Sequence, residues 1–146
     1  MIIQCNSEID FIVRVNDEKE IVFKSHEPIV LPALYAIPVL IKFHENVEIV
    51  SSVAPAPGCE VVWMDERGSS RIGHVLSRIS YLDELWLFIQ TEGVGRLVRS
   101  SEIVGVNPKP LFRLARTAME AIGDCEAERM AANIVMTLLD QDPGVT

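Results

Sequence analysis

Apolar and polar residues alternate through the first part of the chain. Ile9, Phe11, Val13 and Val15 fall on one face of an extended segment, and Glu20–Lys24 alternates again after the polar run Asn16-Asp17-Glu18-Lys19. Two alternating runs joined by a short polar loop predict a β-hairpin. The stretch from Pro28 to Ile41 is apolar but punctuated by Pro28, Pro32 and Pro38. Each proline removes a backbone donor and fixes φ, so this pattern predicts one short helical turn between extended pieces, not a long helix or a central strand. Asn46–Val53 reads as a further strand, and Ala54-Pro55-Ala56-Pro57-Gly58 as a stiff link. Residues 1–54 are thus expected to form a β-rich N-terminal lobe.

Residues 58–106 carry the clearest pattern. Short runs at Glu60–Met64, Ile72–Ile79, Leu85–Thr91, Arg96–Arg99 and Val104–Val106 predict five strands. Turn chemistry separates them: Asp65-Glu66-Arg67-Gly68, Tyr81-Leu82-Asp83-Glu84, Glu92-Gly93-Val94-Gly95, and a tight turn at Ser100-Ser101-Glu102-Ile103. Strands this short and this closely spaced favour a small closed barrel, which removes most of the exposed edge. Residues 108–142 then switch to helical periodicity. One stripe runs through Leu111, Ala115, Ala118 or Met119, and Ile122, and a second through Ala127, Met130, Ala131, Ile134 and Leu138. Gly123 suits the end of the first helix, Asp124 the N-cap of the next, and Asp142-Pro143-Gly144 a stop. A C-terminal helical hairpin is expected.

The runs "GCEVVWMDERGSSRIGHV" and "LWLFIQTEGVGRLVRSSEIVGV" resemble an SH3-like small barrel of the Tudor/KOW type, over about a third of the chain. The shared pattern is an opening valine strand, an acidic-glycine hairpin, a G-x-V second strand, an apolar third strand, a glycine turn and a V-x-x-S-E-I ending. The resemblance implies a five-stranded SH3-like barrel and a binding module in place of an enzyme, and with the β-rich N-terminal lobe and the C-terminal helical hairpin the whole chain is expected to be α+β. Ser69-Ser70-Arg71 follow Gly68 where methyl-reading Tudor domains usually carry an aromatic residue. A cation–π cage lacks a wall there, which argues against a methyl-lysine reader.

Composition narrows the function classes. The chain has 146 residues, 49% apolar and 23% charged, which excludes disorder and argues for one compact unit or two small lobes. The net charge of -8 opposes binding to nucleic acid or anionic membranes and suits a partner with a basic surface. The N-terminal residues show no signal-peptide pattern, and no apolar run is long enough to span a membrane. Cys5, Cys59 and Cys125 are odd in number and widely spaced, so neither a disulfide framework nor paired zinc-ligand spacing is present. Buried thiols in a reducing cytoplasm are the expectation.

Catalytic signals are weak. His26, His44 and His74 lack any second ligand at metal-binding spacing, so neither a metal nor another cofactor is expected. Cys59 and His74 could meet across adjacent strands, the minimum for thiol chemistry, but neither sits in a nucleophile motif. Asp65 and Glu66 are neighbours and point to opposite faces of a strand, which does not suit paired acid–base work. Gly93-Val94-Gly95 precedes a strand, not a helix, and so makes a turn instead of a phosphate cradle.

The candidate site residues are Trp86, Phe88, Arg67, Arg71, Arg96 and Arg99. Every basic residue of the barrel segment is arginine, these four and Arg78, and seven acids leave the segment at -2. Arginine offers a planar fork for carboxylates or phosphates, so convergence of Arg67, Arg71, Arg96 and Arg99 would suit an acidic peptide or nucleic acid. Trp86 and Phe88 lie opposite Leu85, Leu87 and Ile89, which predicts a strand covered on both faces. The second cover is expected from the N-terminal hairpin, the C-terminal helices or another molecule. The functional expectation is non-catalytic protein–protein binding of inhibitor or adaptor type, with a homodimer as one form. Nucleic-acid binding through the arginines is the alternative, and thiol catalysis a distant third.

Overall fold

A computed structural model describes residues 1–16 and 18–141, without the side chains of Val15 and Asn16. Asp17 of the expected first turn and the Asp142-Pro143-Gly144 stop lie outside the described residues. The architecture is mixed α+β, and every ladder between described strands is antiparallel. The chain divides into two compact units, one of Met1–Ser52 with the segment from Ala115 onward, the other Val53–Leu114.

The first unit contains β1 (Ile2–Cys5), β2 (Phe11–Asn16), β3 (Lys19–Phe23), β4 (Pro28–Val30), α1 (Ala33–Phe43) and β5 (Val47–Ile49). The expected hairpin is β2–β3, and Phe11 stacks on Phe23 with ring centroids 5.0 Å apart. A small sheet in the order β4-β1-β5 adds a strand that the alternation did not reveal, β1. It is only four residues long, and it buries Ile3 and Cys5 fully.

The proline-punctuated stretch departs from expectation, because it forms an 11-residue helix with Pro38 inside it. Pro32 stands at the N-cap, where no intrahelical donor is needed. Pro38 does remove one internal bond, but Ala36, Ile37, Val39, Leu40 and Ile41 are all buried on this helix. Burial of that whole set outweighs the cost of one proline, about 3 kcal/mol.

Later in the chain, α2 (Lys109–Ile122) passes from one unit into the other, and α3 (Cys125–Leu138) follows. Asp124 caps α3 as expected, its carboxylate accepting from the Ala127 N–H at 2.7 Å. Gly123 takes φ +79°, the left-handed conformation that ends a helix. The helix on which α3 packs is α1, with Lys42 and Glu128 3.2 Å apart. The Arg116 guanidinium donates to the Lys42 carbonyl at 2.8 Å. The buried side of α3 holds Ala127, Ala132, Val135 and Met136, while Met130 and Ile134 of the expected stripe are exposed. The second helix thus docks on α1.

The second unit is a five-stranded sheet in the order β10-β6-β7-β8-β9. Its strands are β6 (Glu60–Met64), β7 (Ser70–Tyr81), β8 (Glu84–Thr91), β9 (Val94–Arg99) and β10 (Ile103–Asn107). Leu82 and Asp83, with φ of 49° and 62°, make the two-residue turn between β7 and β8. Glu92 and Gly93, at 52° and 77°, do the same between β8 and β9. Paired left-handed residues match the twist of hairpin strands. The core comprises Val61, Trp63, Val75, Leu87, Ile89 and Val98. A 3-10 turn at Ser100–Glu102 carries the chain from β9 to β10, which pairs with β6. Among the described residues no ladder joins β9 to β10, so the expected closed barrel is not found.

Candidate partner-binding site

Strand register assembles the first candidate surface. Leu87 and Ile89 of β8 are fully buried, and Trp86 and Phe88 point to the other face of the sheet. Directly opposite Trp86 stand Ile79 on β7 and Arg99 on β9. Phe88 is likewise opposite Ser77 and Leu97, and Glu84 is opposite Tyr81. Cross-strand partners share a face. One face of β7, β8 and β9 thus collects Ile79, Tyr81, Trp86, Phe88 and Leu97. Trp86 is half-buried, but Ile79, Tyr81, Phe88 and Leu97 are 45%, 65%, 37% and 58% exposed. Of the expected covers, the described residues of this chain do not fully cover Phe88.

Two charged residues on this face answer each other. The Arg99 guanidinium lies 5.0 Å from the Trp86 ring and 3.7 Å from the Glu84 carboxylate. Arginine stacked on tryptophan keeps both planes in place without losing the remaining donors. Leu82, at the tip of the β7–β8 hairpin, is 80% exposed and extends the apolar surface.

The other three candidate arginines gather elsewhere. Arg67 in the β6–β7 turn, Arg71 on β7 and Arg96 on β9 line one groove of about 690 Å³, beside the buried Trp63. Arg99 does not join them, because Arg96 pairs with Ile89 on the core-side face while Arg99 pairs with Trp86 on the outer one. The groove is not simply basic, since Asp65, Glu66 and Glu102 also line it.

Asp65 is fully engaged. Its carboxylate accepts from the backbone N–H groups of Ser69 and Arg67, each at 2.9 Å, and from Arg71 Nε at 2.9 Å. The Ser69 N–H, followed by the Arg71 guanidinium, holds the Asp65 carboxyl below its ordinary value. Arg71 also reaches Glu92 at 3.4 Å. By contrast, Arg67 and Arg96 make no ion pair with any described residue. The sequence offered no sign of this division of labour, nor of Ile79, Tyr81 and Leu97 as neighbours of Phe88. Only the strand register reveals both.

Cys59 and His74 are not brought together for chemistry. Cys59 is fully buried and its backbone pairs with Val75, whereas His74 is exposed on the opposite side of β7. Burial pushes the Cys59 thiol above its ordinary value, away from the reactive thiolate. His44 is buried, with Nδ1 3.2 Å from the Ile41 carbonyl and Nε2 3.1 Å from Glu45. His26 lies 3.3 Å from Glu8 on the surface. Among the described residues no group of His, Cys, Asp and Glu is placed to hold a metal, and no helix is long and apolar enough to cross a membrane. No family model matches the chain, and no curated protein or solved structure does either.

Proposed function

We propose that this chain is a non-catalytic binding protein, of inhibitor or adaptor type, that holds another protein on the outer face of β7, β8 and β9. One observation carries the reading: Ile79, Tyr81, Phe88 and Leu97 lie side by side and exposed, around the stacked pair Trp86–Arg99. Aromatic residues and arginine are the types enriched at the centres of protein interfaces, whereas lysine and most acids are depleted there. The meander β6 to β9, with β10 returning to pair with β6, supports an SH3-like reading of this unit, though fold alone assigns no function.

Nucleic-acid binding through the arginines is the weaker reading. Three acids share the groove with its three arginines, and the whole chain carries -8. Thiol catalysis has no support from the placement of Cys59 and His74. The test is affinity capture from native extract, with protein and nucleic acid both analysed, comparing the natural chain with Phe88→Glu. The expected result is a protein captured by the former and lost from the latter, which still unfolds in one cooperative transition well above the capture temperature. Capture that survives Phe88→Glu would overturn the reading.

A further inference from the structure

The sheet of the second unit ends at β9, and the groove begins there. On one side β9 pairs with β8 from Val94 to Arg99. On the other side no described strand pairs with it. An unpaired edge presents a row of N–H and C=O groups to any extended chain that can approach. The groove that takes in Arg96 and Leu97 also reaches the β6–β7 turn at Arg67 and the 3-10 turn at Glu102. Its volume is about 690 Å³, and an added strand would lie roughly 4.8 Å from β9.

The residues along this edge state what such a strand must carry. Arg96 faces the groove with no ion-pair partner, and Arg67 in the turn is likewise unpaired. Arg71 is already engaged by Asp65 and Glu92, and Glu66 and Glu102 line the groove as well, so the charge that decides the pairing is the local one, Arg96 on the edge strand itself. On the other face of β9, Leu97 is 58% exposed and belongs to the outer apolar surface. β9 itself contains no acidic residue. Cross-strand pairing rewards an opposite charge beside Arg96 and an apolar side chain beside Leu97. Successive residues of a strand face opposite sides.

We infer that the edge of β9 accepts an extended segment of the partner protein in which carboxylate and apolar side chains alternate. The segment adds a sixth strand, with its carboxylates over Arg96 and Arg67 and its apolar residues continuing the Leu97–Phe88 surface. This is strand addition, in which main-chain hydrogen bonds supply affinity and alternate side chains supply selectivity. The inference rests on the outer-face reading above and names the partner's chemistry. A net charge of -8 steers a basic body toward the molecule at long range, yet the segment answers to Arg96 at contact distance. The two ranges are separated by a Debye length of about 8 Å.

The probe is an acetylated, amidated Glu-Val-Glu-Val-Glu-Val peptide, titrated into the full chain at physiological salt. Binding is measured calorimetrically and amide hydrogen exchange is followed at Val94–Arg99. The expected outcome is slowed exchange along β9 and about tenfold weaker binding to Arg96→Gln, the loss appropriate to one charge-assisted bond. A Lys-Val counterpart, and a copy with alternate amides N-methylated, should bind at least tenfold more weakly.

Equal binding by either control, or no binding by the Glu-Val peptide, would overturn strand addition. Protection of β9 that rises with protein concentration alone would overturn it in favour of a second copy. A single-stranded oligonucleotide binding the groove as tightly as the peptide would overturn it in favour of a phosphate site. If the peptide fails while Phe88→Glu still loses the captured partner, only the strand inference falls. If Phe88→Glu leaves capture intact, the outer-face reading falls with it.

Discussion

Phe88 pairs with Leu97 across the β8–β9 ladder, but its ring lies over the diagonal neighbour, Gly95. A Cβ on Gly95 would stand 2.5 Å from Phe88 Cζ, so the ring occupies the space that a side chain would take. Gly73 on β7 is filled in the same way but from the core side. A Cβ there would meet the Ile89 side chain, the Gln90 carbonyl oxygen at 2.8 Å and the Trp63 ring at 3.2 Å. The two glycines are alike in sequence terms and differ in what blocks them.

Gly73→Ala and Gly95→Ala should therefore separate. At Gly73 the obstacles are backbone and packed core, so alanine should cost about 1–3 kcal/mol in a denaturant melt. At Gly95 the obstacle is the free end of a ring that is 37% exposed, and it can swing outward. A loss below about 1 kcal/mol is expected there, accompanied by altered partner capture. Equal losses at both positions would contradict this account of the ring.

Trp63 is 4% exposed and belongs to the core of the second unit. Trp63→Ala should cost about 3–5 kcal/mol in a urea melt. A loss under about 1 kcal/mol would show that the core side of the sheet is not packed as described.

Asp65 supplies a pH signature. Its folded carboxyl is held below the ordinary value, so it contributes stability that is present above the unfolded-state pKa of about 3.9. That contribution is lost as pH falls through the lower folded value. Asp65→Asn should thus be less stable than the natural chain at neutral pH, and the difference should shrink in melts taken below about pH 4. A difference that stays constant into acid would mean that the carboxylate's charge does not matter.

The three thiols should react in two groups. Cys125 is exposed, whereas Cys5 and Cys59 are buried. One thiol per chain should be labelled quickly by a water-soluble disulfide reagent, and three only in denaturant. The raised Cys59 value predicts a contribution to stability that is full below the unfolded thiol pKa, about 8.5, and lost as pH rises through the folded value. Alkaline melts should show that loss in the natural chain and not in Cys59→Ala.

Much of the second unit is legible from its residues. The short apolar run Glu60–Met64 is a strand over those same residues, and the turns at Gly68 and Glu92-Gly93 fall where expected, though Gly95 already belongs to β9. What local pattern cannot supply is register. Arg96 and Arg99 are three apart on one strand and face opposite ways, and Arg67 shares a groove with Arg96 although neither β6 nor β7 is a neighbour of β9. In the first unit, helix α1 defeats the proline rule because the benefit of burying it comes from tertiary packing. In α3 the run Ile134-Val135-Met136 is apolar on several sides, so periodicity alone does not say which side is buried.

The first unit is assembled from two stretches of chain with the second unit between them. That arrangement imposes an order on synthesis. Val53–Leu114 is contiguous and can fold as soon as it has left the ribosome. The partner of α1 lies beyond it, in Cys125–Leu138. At about 5–20 residues per second, several seconds pass between the emergence of α1 and that of α3. During that interval the apolar side of α1 has no α3 to pack on. The first unit is thus completed only after the whole of the second has been made.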